Sequence, residues 1–125
     1  ISKEMMEDIY RRGYALFQSG RFQDALLVFN NLSLLVDLSD PRYILAMAAT
    51  YHQMKKYDEA AGQYLFYQRL NPQDPVSYYH LYDCLKQLNQ PEAAVSALKT
   101  AKKFAGDQPK YADLKAKIDL ELAHL

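Results

Sequence analysis

The chain has no tryptophan, a single cysteine, four glycines, no excess of either charge and no long apolar run. Each scarcity excludes something. One cysteine, Cys84, cannot close an intrachain disulfide, so the 125 residues must be held by their own core; a lone thiol suits a reducing compartment. Four scattered glycines cannot build a phosphate-cradling loop. Fifteen basic and fifteen acidic side chains cancel, and they stay balanced along the chain. That leaves no field to draw in nucleic acid or an anionic lipid surface. Nothing approaches the ~18 apolar residues of a membrane span, and no basic-then-apolar leader opens the chain. The first residue is Ile1 rather than Met, which reads as a trimmed start. The expectation is one soluble, cytoplasmic domain over residues 1–125, without a nucleic-acid partner or stable membrane association.

What is present is helical in character. Ala, Leu, Gln, Lys and Glu dominate, while period-two strands and Asn-Gly hairpin turns are absent from the sequence. Pro41, Pro75 and Pro109 each follow a polar residue (Asp40, Asp74, Gln108) and open a stretch of helical period. Proline suits the first helical position because its missing N–H would be unpaired there, and an aspartate before it caps the next free N–H groups.

An internal period is also visible. Gly20-Arg21-Phe22-Gln23-Asp24-Ala25, Lys55-Lys56-Tyr57-Asp58-Glu59-Ala60 and Asn89-Gln90-Pro91-Glu92-Ala93-Ala94 superpose, with the aligned alanines 35 and then 34 residues apart. Phe29, Tyr64 and Leu98 stand four residues after those alanines. Asn71-Pro72 closes the second unit and Gly106 the third. A helix–turn–helix unit of this length resembles the tetratricopeptide repeat. Placing the three alanines at the repeat's small position 20 starts the units at Met6, Pro41 and Pro75. Position 8, normally small, then holds Gly13, Ala48 and Tyr82, the last a departure. Position 11 holds Leu16, Tyr51 and Leu85. Two further departures are Asp37, where a proline would end the first unit, and one extra residue in the Leu34–Asp40 connection. Leu114, Ile118, Leu122 and Leu125 fall at helical spacing after Pro109, as in a helix that covers the last apolar face of a solenoid. The expected fold is all-α: three tandem repeats (about 6–40, 41–74 and 75–108) in a right-handed solenoid, with a capping helix over about 109–124.

Catalytic groups do not converge in this pattern. His52, His80 and His124 lack the spacing of a metal site, although His52 and His80 belong to neighbouring units. Cys84 has no basic neighbour in sequence to lower its pKa, and Asp58-Glu59 sits where a helix N-terminus favours negative charge. The lysines of the last third are interleaved with Asp107, Asp113, Asp119 and Glu121, the pattern of a solvated face. No enzyme, metal or cofactor is expected.

The unusual feature is eleven tyrosines and five phenylalanines. The first helix of each tetratricopeptide unit lines a concave groove, and this register puts Tyr10, Tyr14 and Phe17 on that stripe, at spacings that share one helix face. Leu45, Ala49 and His52 follow from the second unit, and Tyr79, Asp83 and Lys86 from the third. Such a stripe can also serve the core, which fits Leu16, Phe29, Tyr51 and Tyr64; it fits Tyr10, Tyr14 and Phe17 less well, because in this register the unit's core is already supplied by other residues. Lysine and asparagine clamps for an acidic C-terminal peptide are missing, since Tyr10, Tyr14 and Val76 occupy those places. An extended, apolar, proline-tolerant segment fits such rings better.

Met5-Met6-Glu7-Asp8-Ile9-Tyr10, Gly13-Tyr14-Ala15, Gln18 through Ala25 and Phe29-Asn30-Asn31-Leu32 resemble the opening of the class II chaperones of bacterial type III secretion. Leu45-Ala46-Met47-Ala48-Ala49, Tyr57-Asp58-Glu59-Ala60 and the helix after Pro109 fit the same family. The resemblance implies a cytoplasmic bacterial protein that keeps hydrophobic translocator proteins soluble and export-competent without ATP. It implies a peptide groove lined by Tyr10, Tyr14, Phe17, Phe22, Leu45, Ala49 and Tyr79. Members usually carry a further N-terminal helix, often used in homodimer contact, and a homodimer stands in this reading as one open assembly state beside the monomer. The alternative is a general tetratricopeptide scaffold or assembly adaptor.

Overall fold

The computed structural model describes residues 2–35 and 40–125; Asp37 and the extra residue of the Leu34–Asp40 connection lie outside the described residues. The described residues form α1 (Lys3–Gln18), α2 (Phe22–Leu35), α3 (Pro41–Gln53), α4 (Tyr57–Leu70), α5 (Pro75–Gln87) and α6 (Pro91–Ala105). A 3-10 turn (Pro109–Tyr111) and α7 (Ala112–Ala123) follow, with no strand among them. The chain divides into two compact units, Ile1–Gln63 and Tyr64–Leu125, with the boundary inside α4.

The helix starts follow the expected chemistry. The Asp40 and Asp74 carboxylates accept the backbone N–H of Arg42 and Val76, and Pro41 and Pro75 take the first helical position. Pro109 behaves differently. It opens a single 3-10 turn, Gln108 supplies no side-chain cap, and the α-helix begins at Ala112.

One turn recurs three times. Gly20, Lys55 and Asn89 hold the same place in the three repeats and all adopt positive φ (80°, 61° and 58°). In each, the N–H of this residue bonds back to the carbonyl of Phe17, His52 or Lys86. The next N–H bonds back to the carbonyl of Leu16, Tyr51 or Leu85. This is the Schellman closure, in which two carbonyls left over at a helix end are satisfied by the backbone alone. Glycine adopts the left-handed geometry freely, asparagine tolerates it and lysine is strained by it.

In the first unit α2 packs against both α1 and α3. Ala25, Phe29, Leu32, Tyr43 and Met47 form its buried cluster. Gly13 lets α1 approach α2 closely: a Cβ there would stand 2.7 Å from the Phe29 ring. In the second unit α5 packs on α6 and α6 on α7. Leu98 and Ile118 are wholly buried there. Tyr82, the departure at the small position, is 4% exposed and its hydroxyl donates to the Glu121 carboxylate of α7 at 2.8 Å. The third repeat thus carries Tyr82 and Leu98 at the positions where the first carries Gly13 and Phe29. Of the apolar residues expected to face inward from α7, Leu114 and Leu122 are half-buried, while Leu125 lies beyond the helix and is exposed.

Candidate functional site

The first unit carries a run of aromatic rings. Along α1, Tyr10 stacks toward Tyr14 with ring centroids 6.3 Å apart, and Tyr14 toward Phe17 at 6.0 Å. Phe17 meets Phe22, the first residue of α2, edge-on at 5.6 Å. These separations lie in the range where aromatic pairs attract. Spacings of four and three residues hold the α1 rings on one face, and the Gly20 turn folds Phe22 back beside Phe17.

The run grades from buried to open. Tyr10 and Phe17 are half-buried and rest on the Phe29 cluster, so they serve the core with one side. Tyr10 lies 5.9 Å from Phe29 and 5.6 Å from Tyr43, centroid to centroid. Tyr14 between them is 45% exposed. An exposed ring held between two anchored ones is a ready apolar contact surface. Leu45 and Ala49 of α3 are half-buried and one helical turn apart in the same unit. Tyr79 belongs to α5 in the second unit, where its ring lies 6.2 Å from that of His80 and 6.1 Å from that of Tyr82. Ring contacts therefore join Tyr10, Tyr14, Phe17 and Phe22, while Leu45, Ala49 and Tyr79 stand on other helices.

At the Tyr10 end sits a charged group that sequence reasoning missed. Arg42, in the first turn of α3, donates to Asp40 and to Glu7 of α1, and its guanidinium lies 5.1 Å from the centre of the Tyr10 ring. Hydrogen bonds from Arg42 hold both carboxyls below their ordinary pKa. Burial raises the Tyr10 hydroxyl, which stays protonated at neutral pH. The available signal was the Asp40-Pro41-Arg42 sequence at a helix start, but nothing in it points to Glu7, 35 residues earlier.

The residues weighed for chemistry have structural surroundings. Cys84 is buried, and burial pushes its thiol up to about 12, away from nucleophilic use. His52 packs edge-on against Tyr57, and His80 stacks on Tyr64. No metal-binding cluster occurs among the described residues. Among them no helix is long and apolar enough to cross a membrane.

Paired helices closed by one recurrent turn define a tetratricopeptide-repeat protein, and family models described as tetratricopeptide repeat match residues 6–32 and 52–118. The Low calcium response locus protein H of Yersinia pseudotuberculosis is 30% identical over 118 residues, spanning 94% of this chain and 70% of that protein. The type III secretion translocator chaperone SycD of Yersinia enterocolitica superposes with a TM-score of 0.91 at 28% identity, covering 100% of this chain and 92% of SycD. PcrH bound to the chaperone-binding region of PopD gives a TM-score of 0.92 at 27% identity over 99% of this chain and 92% of PcrH. The chain belongs to the tetratricopeptide-type translocator chaperones of bacterial type III secretion, the family of Low calcium response locus protein H.

Proposed function

We propose that this chain is a cytoplasmic chaperone that holds an extended apolar segment of a hydrophobic translocator against the aromatic face of its first unit. The observation that carries this reading is the exposed Tyr14 ring between the anchored rings of Tyr10 and Phe17. Phe22, Leu45 and Ala49 extend the apolar lining within that unit, and Tyr79, on α5 of the second unit, is a separate candidate contact. Residues 1–125 act in this reading as one tetratricopeptide domain. Two relatives support the choice of partner: SycD has been crystallised with a peptide of the translocator YopD, and PcrH with the chaperone-binding regions of PopD and PopB. SycD also crystallises as an alternative dimer, and a homodimer is the second assembly state proposed here. The mechanism is passive and non-enzymatic. Covering a membrane-seeking segment removes its apolar surface from water and prevents aggregation before export.

Co-expression with candidate translocators followed by co-purification tests the reading, with Tyr14→Ala as the informative variant. Tyr14 is exposed, so its removal should leave the melting curve unchanged. Truncating a contacting aromatic at an interface commonly costs about 2 kcal/mol, roughly a thirtyfold loss of affinity. A folded Tyr14→Ala chain that retains its translocator at wild-type affinity would remove the aromatic face from the site. Capture of partners other than translocators would favour a general scaffold.

A further inference from the structure

Arg42 is held in more ways than an ion pair requires. Its Nε donates to Asp40 Oδ2 at 3.0 Å, and its Nη2 donates to Asp40 Oδ2 at 2.7 Å and to Glu7 Oε1 at 2.5 Å. The Asp40 carboxylate simultaneously accepts the backbone N–H of Arg42, so the same group caps α3 and grips the guanidinium. Two carboxylates fix the edge of the planar fork, while its carbon lies 5.1 Å from the Tyr10 ring centre and 5.8 Å from that of Tyr43. Glu7 precedes Tyr10 by one turn on α1, so the clamp ties the helix carrying the ring to the helix carrying the arginine. The guanidinium, Phe29, Tyr43 and Tyr14 together surround Tyr10 and limit its rotation.

We propose that Arg42 is a positioning residue for the peptide-binding face, with Glu7 and Asp40 orienting its guanidinium so that Tyr10 is held in its binding rotamer before the partner arrives. The inference rests on the aromatic-face reading above and adds the device that preorganises it. A contact side chain fixed in advance spares association the cost of ordering it. The role demands arginine. Lysine keeps the charge but lacks the fork that holds two carboxylates while its flat face covers a ring.

A double-mutant cycle separates positioning from general stabilisation. A fluorescent peptide carrying the PopD chaperone-binding region, whose complex with PcrH is known, serves as the probe. Its affinity is measured for the full chain, Arg42→Met, Arg42→Lys, Tyr10→Leu and the combinations with Tyr10→Leu. Leucine at residue 10 keeps apolar bulk against Phe29 and removes the ring. Arg42→Met should weaken binding roughly three- to fivefold, the loss of one cation–ring contact. Arg42→Lys should weaken it nearly as much, and neither should matter once Tyr10 is leucine. Melting curves check that each variant is folded; if Arg42→Met is not, Arg42→Lys carries the cycle. Equal losses in both Tyr10 backgrounds, or full rescue by lysine, would overturn the positioning role and leave the aromatic face standing. If Tyr10→Leu and Tyr14→Ala both bind like the parent chain, the aromatic face itself fails, and the inference falls with it.

Discussion

Gly13 and Gly62 both lie within helices of the first unit, yet alanine should shift stability in opposite directions at the two sites. Alanine is favoured over glycine inside a helix by about 1 kcal/mol at either place. At Gly62 nothing lies within 4 Å of the added methyl, so that gain survives. At Gly13 the methyl would meet Phe29 Cε1 at 2.7 Å, Val28 Cγ1 at 3.0 Å and Phe29 Cδ1 at 3.1 Å. Phe29 is 0% exposed and has the Tyr10 ring against it, so it has no solvent side toward which to retreat. Overpacking of this kind costs about 1–3 kcal/mol, and so close an approach to a ring belongs at the upper end. Set against the helical gain, Gly13→Ala should lose about 1–2 kcal/mol, a fall in melting temperature of roughly 4–8 °C, while Gly62→Ala should rise by roughly 4 °C. Thermal and urea unfolding followed by far-ultraviolet circular dichroism would measure both. Phe29→Leu in the Gly13→Ala background should cost less than in the parent, because it removes the ring that the methyl strikes. A Gly13→Ala chain melting at or above the parent would refute the close-packing account of this residue.

Three further outcomes follow from the same packing. Ala60 is 0% exposed, and Ala60→Leu should lower stability by about 1–3 kcal/mol; an unchanged melting midpoint would mean that the repeat register is wrong. Lys55→Gly should stabilise by about 0.5–1 kcal/mol by relieving a left-handed lysine, and Asn89→Gly by less, as read from urea midpoints. Tyr82→Phe should destabilise by about 1 kcal/mol through loss of the bond to Glu121. Burial and then that bond raise the Tyr82 hydroxyl to about 12. Its stabilisation is therefore complete below the ordinary tyrosine pKa of about 10 and is lost as pH rises through about 12. Tyrosinate absorbance during alkaline unfolding, compared between parent and Tyr82→Phe, would report it.

The sequence was most legible where one residue type decides the backbone. Asp-Pro pairs placed the starts of α3 and α5, and alanines spaced 35 and 34 residues apart placed the helix pairs, because a missing N–H and a close helix crossing admit few alternatives. The three left-handed turns were hidden behind Gly20, Lys55 and Asn89, since their hydrogen bonds are backbone to backbone and demand no common side chain. Pro109 misled in detail: the chain forms a 3-10 turn there before α7, whereas Pro91, also preceded by glutamine, opens α6 directly. For the aromatic residues, spacing identified a shared face but not its division of labour. Tyr10 and Phe17 pack against the buried cluster whereas Tyr14 is 45% exposed, a distinction that depends on how α2 and α3 pack. The Arg42 clamp joins residues 35 apart, beyond any local pattern.

The recurrent Schellman closure also bears on how fast the chain acquires its structure. Each turn is sealed within a few residues, and the helices it joins, α1 with α2 and α5 with α6, are sequence neighbours that pack on each other. Little loop-closure entropy stands in the way of such contacts, so each hairpin can nucleate by itself, and folding belongs to the microsecond-to-millisecond regime of helical proteins. The same locality acts in reverse. A hairpin that opens keeps its register and recloses without searching, so its apolar side chains face water only briefly.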